Sequence, residues 1–178
     1  FSDSSKGVYF VYIIMTVAEV ILLMLGGLPI YDALVHTFGT VGTGGLSIYN
    51  SSIAHYDNLY VEIVIAIFMF LAAINFNLFY LIKRRGVLQV FKDEETKFYT
   101  TVTLAAGFLI TIYNFAFDNF SHFGEKLSTA FFQVISILTT TGYATDNYDA
   151  WPTFSRMIIF SLFFIEQVNN AFILVLLI

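Results

Sequence analysis

Four long apolar stretches, residues 8–28, 60–82, 100–117 and 157–178, dominate this sequence of 178 residues. Each approaches the roughly 20 helical residues that cross a hydrocarbon core. Backbone polar groups in hydrocarbon must be satisfied within their own segment, so stretches of this kind are expected to fold as helices. Composition agrees. The chain is 58% apolar and 12% charged, with a mean hydropathy of +0.78, whereas soluble domains run at roughly 45–50% apolar and about 25% charged. Eight basic and 13 acidic side chains are too few to clothe a soluble core of this size. The absence of cysteine excludes a disulfide scaffold, a thiol nucleophile and cysteine-ligated metal centres. A net charge of −5 offers no basic face for nucleic acid. The expected fold class is all-α integral membrane.

Glycine-rich, semi-polar segments occupy residues 29–58 and 118–156, while residues 83–97 hold Lys83, Arg84, Arg85, Lys92 and Lys97, five of the eight basic residues. The positive-inside rule makes that basic loop cytoplasmic. Both glycine-rich segments then lie on the outer side with Asp32, Asp57, Asp118, Glu125, Asp146 and Asp149, an acidic face whose field concentrates cations. A shift of 97 residues lays Gly45 on Gly142, Ala33 on Ala130 and Asn50 on Asn147. The expected organisation is a membrane repeat over 1–82, a cytoplasmic basic linker over 83–99 and a second repeat over 100–178, each repeat built as span, pore loop, span. A chain that starts at Phe1 and ends within an apolar run is expected to be the ordered part of something longer.

Each glycine-rich segment opens with a short amphipathic stretch, residues 29–38 and 126–136, too short to cross a bilayer, so it must enter and return. Pro29 suits a first helical turn. Gly39-Thr40-Val41-Gly42-Thr43-Gly44-Gly45-Leu46-Ser47 follows in the first segment, and Leu138-Thr139-Thr140-Thr141-Gly142-Tyr143-Ala144-Thr145 in the second. Such runs are poor helix material, and unpaired backbone at membrane depth is tolerated only where protein or a water-filled cavity surrounds it. Backbone carbonyls and threonine hydroxyls can replace the hydration shell of potassium, and the C-terminal end of a preceding helix favours a cation. The candidate ion-binding residues are Thr43, Gly44, Gly45 and Leu46 in the first loop and Thr140, Thr141, Gly142 and Tyr143 in the second. The second run can be laid on the potassium-channel pattern Thr-Val-Gly-Tyr-Gly. One central glycine per loop suggests weaker discrimination against sodium than two would give.

Thr43-Gly44-Gly45-Leu46-Ser47, Ile74-Asn75-Phe76 followed by Lys83-Arg84-Arg85, Lys92-Asp93-Glu94-Glu95, and Val134-Ile135-Ser136-Ile137-Leu138-Thr139-Thr140-Thr141-Gly142-Tyr143 ending in Trp151-Pro152 occur together. This combination resembles the Trk/Ktr/HKT superfamily of potassium transporters over about residues 31–164. The resemblance implies a potassium-channel-like pore of four repeats with one filter glycine per loop. Here it implies the second and third repeats, with filter glycines Gly45 and Gly142. It further implies a cell-membrane location, potassium as substrate with no cofactor, further pore repeats or a second chain, a homodimer and a cytosolic nucleotide-binding regulatory subunit. Symport with sodium or protons stays open. The family's glycine-rich gate loop follows a Phe-Ile-Gly-Gly pattern, whereas Phe164-Ile165 here precedes Glu166-Gln167-Val168-Asn169-Asn170-Ala171, so no gate is assigned. Two other readings stand beside conduction: a non-conducting structural or assembly subunit, and a carrier for another cation such as ammonium.

The remaining polar residues have plainer expectations. Glu19, in mid-span, is expected to have a functional or protein-facing role, either hydrogen-bonding a neighbouring helix or serving ion transport. Glu62 belongs near the interface, and Glu166, Gln167, Asn169 and Asn170 either line a pore or bond between helices. His36 is expected to be packed and hydrogen-bonded, His55 and His122 to be loop residues. Trp151, Tyr143, Tyr148, Tyr49, Tyr56 and Tyr60 read as an interfacial aromatic belt. Asp57, Asp146 and Asp149 either attract cations at the mouth or are simply solvated. No transition-metal spacing, nucleophile elbow, Walker sequence or dinucleotide fingerprint is present, so no catalytic residue is expected.

Overall fold

The computed structural model describes residues 2–74, 93–117 and 123–176, with side chains over 7–74, 93–94, 96–117 and 123–165. Six α-helices make up this part: α1 (Ser2–Leu25), α2 (Ile30–Val41), α3 (Leu59–Ala73), α4 (Glu94–Phe117), α5 (Phe123–Leu138) and α6 (Thr153–Leu176). No strand occurs among the described residues. Asn75, Phe76, Lys83, Arg84, Arg85, Lys92, Asp118 and His122 lie outside them, as do the side chains of Glu95, Glu166, Gln167, Asn169 and Asn170.

The helix ends follow from local chemistry. α1 stops where the N–H groups of Gly27 and Leu28 turn back onto the carbonyls of Met24 and Leu23 at 3.0 and 3.2 Å. Pro29, which has no N–H to leave unpaired, immediately precedes α2. Asn58 caps α3 by accepting the N–H of Tyr60 at 3.0 Å, and Asp93 caps α4 by accepting that of Thr96 at 2.9 Å.

Residues 7–25 and 96–117 are long and apolar enough to cross a membrane. Their outward faces carry Phe10, Ile13, Val17 and Ile21 on α1 and Leu104, Phe108 and Ile112 on α4, all exposed. Water would penalise such stripes, whereas lipid accepts them. Of the span expected over 60–82, residues 60–73 lie in α3, which has 15 residues, Ile74 is extended, and 75–82 lie outside the described residues.

Each half packs as a three-helix unit. Leu23, Ile53, Val61, Ile65 and Met69 fill the core of α1–α3, and Ala106, Ile110, Val134 and Leu162 that of α4–α6. Lipid tails are as apolar as leucine, so close packing rather than transfer from water holds these helices together. The halves meet along α3 and α5, and Phe132 and Tyr143 of the second half sit in the core of the first. α2 ends at Val41 and α5 at Leu138, equivalent positions under the 97-residue shift.

Candidate functional site

The two loops that follow α2 and α5 share one backbone design. In the first, the N–H groups of Gly42, Thr43 and Gly44 turn back onto the carbonyls of Phe38, Thr40 and Gly39 at 3.0, 3.0 and 2.8 Å, and Gly45 reaches Gly39 at 3.1 Å. In the second, Thr139, Thr140 and Gly142 do the same to Ile135, Ile137 and Ser136 at 2.9, 3.0 and 3.2 Å. Each of these three bonds has its counterpart 97 residues earlier. Both loops also place a threonine and then a glycine at positive φ: Thr43 at 50° and Gly45 at 57°, Thr140 at 56° and Gly142 at 81°. A left-handed β-branched residue is strained, and seeing it twice at matching positions marks a constraint rather than an accident.

In a planar trans peptide the N–H and the preceding C=O point in opposite directions. N–H groups drawn back to the helix end therefore send the carbonyls of Gly42, Thr43 and Gly44, and of Thr139 and Thr141, away from it. Among the described residues no donor reaches the carbonyls of Gly42, Thr43, Gly44 or Thr141, while that of Thr139 accepts the Thr140 hydroxyl at 2.7 Å. Two residues of the expected set are engaged otherwise. The Leu46 carbonyl accepts the Tyr143 hydroxyl at 3.3 Å, and the Tyr143 carbonyl accepts the Ser136 hydroxyl at 2.6 Å.

The loops touch. A Cβ built on Gly45 would overlap the carbonyl of Thr141, whereas one on Gly142 meets nothing. The N–H of Ala54 donates to the carbonyl of Ala144, and that of Ala144 to the hydroxyl of Ser52, both at 3.2 Å. The Tyr143 hydroxyl donates to the carbonyl of His36 at 3.1 Å as well as to Leu46. Gly39 lies directly against that hydroxyl, so a side chain there would displace it.

A model of the TrkH cation transport protein family matches residues 5–168. The chain belongs to that family. Among its relatives, the Trk system potassium uptake protein TrkH of Salmonella typhimurium is 30% identical over 92% of this chain and 34% of its own length. TrkG of Escherichia coli is 31% identical over 85% of this chain and 31% of its own. The crystal structure of the potassium transporter TrkH from Vibrio parahaemolyticus superposes with a TM-score of 0.83 at 23% identity, covering 90% of this chain and 35% of that one. The chain thus has the TrkH fold and spans about a third of the length of these relatives.

Within this TrkH-family chain several side chains sit elsewhere than the sequence suggests. Asp32, expected on the acidic outer face, is buried: its carboxylate accepts the hydroxyls of Tyr56 at 2.8 Å and Tyr49 at 3.2 Å. Tyr143, 1% exposed, and Trp151, whose indole donates to Asp146 at 2.7 Å, are buried rather than part of a belt. Glu19 faces protein as expected, with 0% exposure, yet neither carboxyl oxygen has a hydrogen-bond partner among the described residues. Asp57, Glu62 and Asp146 line a polar cavity of about 520 Å³, with Glu62 also accepting the Ser128 hydroxyl at 3.4 Å. His36 is packed and hydrogen-bonded as expected. Its partner Ser47 and the accommodating Gly39 were not singled out by sequence reasoning, although a glycine inside an amphipathic helical stretch signals a close approach.

Proposed function

We propose that this chain forms two adjacent repeats of a membrane pore that passes potassium between backbone carbonyls. The observation that carries this reading is the matched pair of loops, in contact at Gly45 and Thr141, whose N–H groups fold back and leave the carbonyls of Gly42, Thr43, Gly44 and Thr141 with no donor among the described residues. Left-handed residues at alternate positions cancel the strand-like alternation of carbonyl direction, so oxygens gather on one side. The ends of α2 and α5 add partial negative charge next to them. Potassium is the cation in the names of the relatives. On the same reading Thr43, Gly44, Gly45, Thr140, Thr141 and Gly142 line the filter, with Leu46 and Tyr143 at its outer end. The rest of the pore comes from further repeats or a second chain. Residues 83–97 face the cytoplasm, the filter loops face outward, and a homodimer with a cytosolic nucleotide-binding regulatory subunit is the expected assembly.

The test is cation flux through the intact protein in liposomes. Replacing Gly45 or Gly142 by serine should raise sodium permeability relative to potassium. Unchanged selectivity in both variants would leave a non-conducting scaffold or a carrier for another cation, such as ammonium, as the better account.

A further inference from the structure

Behind the first loop lies a hydrogen-bonded cluster that the second loop lacks. His36 sits one turn after Asp32 on α2, and its Nδ1 lies 2.8 Å from the Asp32 carbonyl. A carbonyl only accepts, so the proton is on Nδ1, and Nε2 is left to accept the Ser47 hydroxyl at 3.1 Å. The Ser47 oxygen in turn accepts the N–H of Tyr49 at 3.2 Å. Tyr49 and Tyr56 both donate to the Asp32 carboxylate, which closes the cluster. In the second repeat the equivalent positions are Thr129, Gln133 and Ala144. Ala144 has no side-chain acceptor, and the Gln133 amide reaches the carbonyl of Asp146 at 3.4 Å instead.

Ser47 is two residues beyond Gly45, so the His36–Ser47 bond anchors the outer end of a loop whose inner end is already tied to α2. We infer that His36, acting through Ser47, is a positioning residue for ion selectivity: it fixes the distance between the first loop and its pore helix. This inference rests on the reading of the two loops as a filter. A glycine-rich loop has little side-chain packing of its own, and an anchor at each end is what keeps its oxygens at the spacing one ion size requires.

The experiment is the potassium-to-sodium permeability ratio of the intact protein in liposomes. Ser47→Ala should lower the ratio about fivefold, the equivalent of one neutral hydrogen bond, and Ser47→Thr, which keeps the hydroxyl, should retain it. His36→Phe should match Ser47→Ala, and the double variant should be no worse than either, since both remove the same bond. A general packing role would reduce protein yield and total flux but leave the ratio alone. Gly45→Ser runs in parallel. If it lowers the ratio while Ser47→Ala does not, the positioning role is overturned and the filter reading survives. If neither changes the ratio, the filter reading falls as well.

Discussion

The two loops have the same backbone and opposite means of support. Next to its helix the second is held from within, with bonds to Ser52 and Ala54 of the first repeat only further out at Ala144: Ser136 donates to the Tyr143 carbonyl at 2.6 Å, and the hydroxyls of Thr139 and Thr141 are 2.7 Å apart, with Thr139 also bonded to the Ser136 carbonyl. The first has glycines where the second has threonines, at Gly42 and Gly44, and is held from outside by His36, Ser47 and the Tyr143 hydroxyl. One backbone path can therefore be stabilised by two unrelated sets of side chains. What the repeats share is the requirement on carbonyl direction, not the means of meeting it.

The largest expected difference is between alanine at the two glycines. A left-handed alanine costs about 1–2 kcal/mol at either position. At Gly45 the methyl also strikes the Thr141 carbonyl, and overpacking of that kind adds about 1–3 kcal/mol. Thermal unfolding of the intact protein should therefore show a greater loss for Gly45→Ala than for Gly142→Ala. Equal losses would mean that the open side of Gly142 is covered in the intact protein by another loop, which would restore the symmetry between the repeats.

A smaller effect is expected where the second loop reaches into the first. Gly39→Ala pushes against the Tyr143 hydroxyl, at a cost of about 1–3 kcal/mol. Tyr143→Phe alone removes the bonds to His36 and Leu46 and should cost about 1 kcal/mol. Combined, the two should be less damaging than their sum, because phenylalanine removes the atom that the new methyl meets, and alanine suits a helix better than glycine. Additive losses in the melting temperature of the double variant would separate Gly39 from Tyr143 and undo the claim that this tyrosine sets the spacing between the loops.

Much of this arrangement is legible from residue order, because it depends on period and spacing. The 97-residue shift lays Gly45 on Gly142, and both lie at positive φ in matching turns. The pore helices are legible too, but their limits are not: α2 runs to Val41 and α5 begins at Phe123, beyond the expected 29–38 and 126–136. Gly39 reads as a helix breaker until the Tyr143 hydroxyl against it is known, and that contact spans 104 residues of sequence. The burial of Asp32 and Tyr143 escapes local reading for a similar reason. A buried acid held by tyrosines and a solvated one have the same local sequence, as do a packed aromatic and an interfacial one, and only tertiary pairing separates them.

The smallest expected effect uses His36, an ionisable side chain that supports the first loop alone. Burial pushes the pKa of His36 below its ordinary value, and hydrogen bonding and charge from Asp32 offset this only in part. The groups around it are Asp32 on its own helix, Tyr49 and Tyr56 from the turn that follows, and Tyr143 from the second loop. The folded state thus favours the neutral ring. Its contribution is complete above the unfolded pKa of about 6.5 and declines as the pH falls below it, because the unfolded chain then binds the proton more readily. The slope from one such group is no steeper than about 1.4 kcal/mol per pH unit. Gln133, at the matching place in the second repeat, does not titrate. Melting temperatures of the intact protein between pH 7 and 5 should fall more steeply with His36 present than in His36→Phe, and parallel curves would mean that the ring keeps its ordinary affinity for protons and that the first loop is no more acid-sensitive than the second.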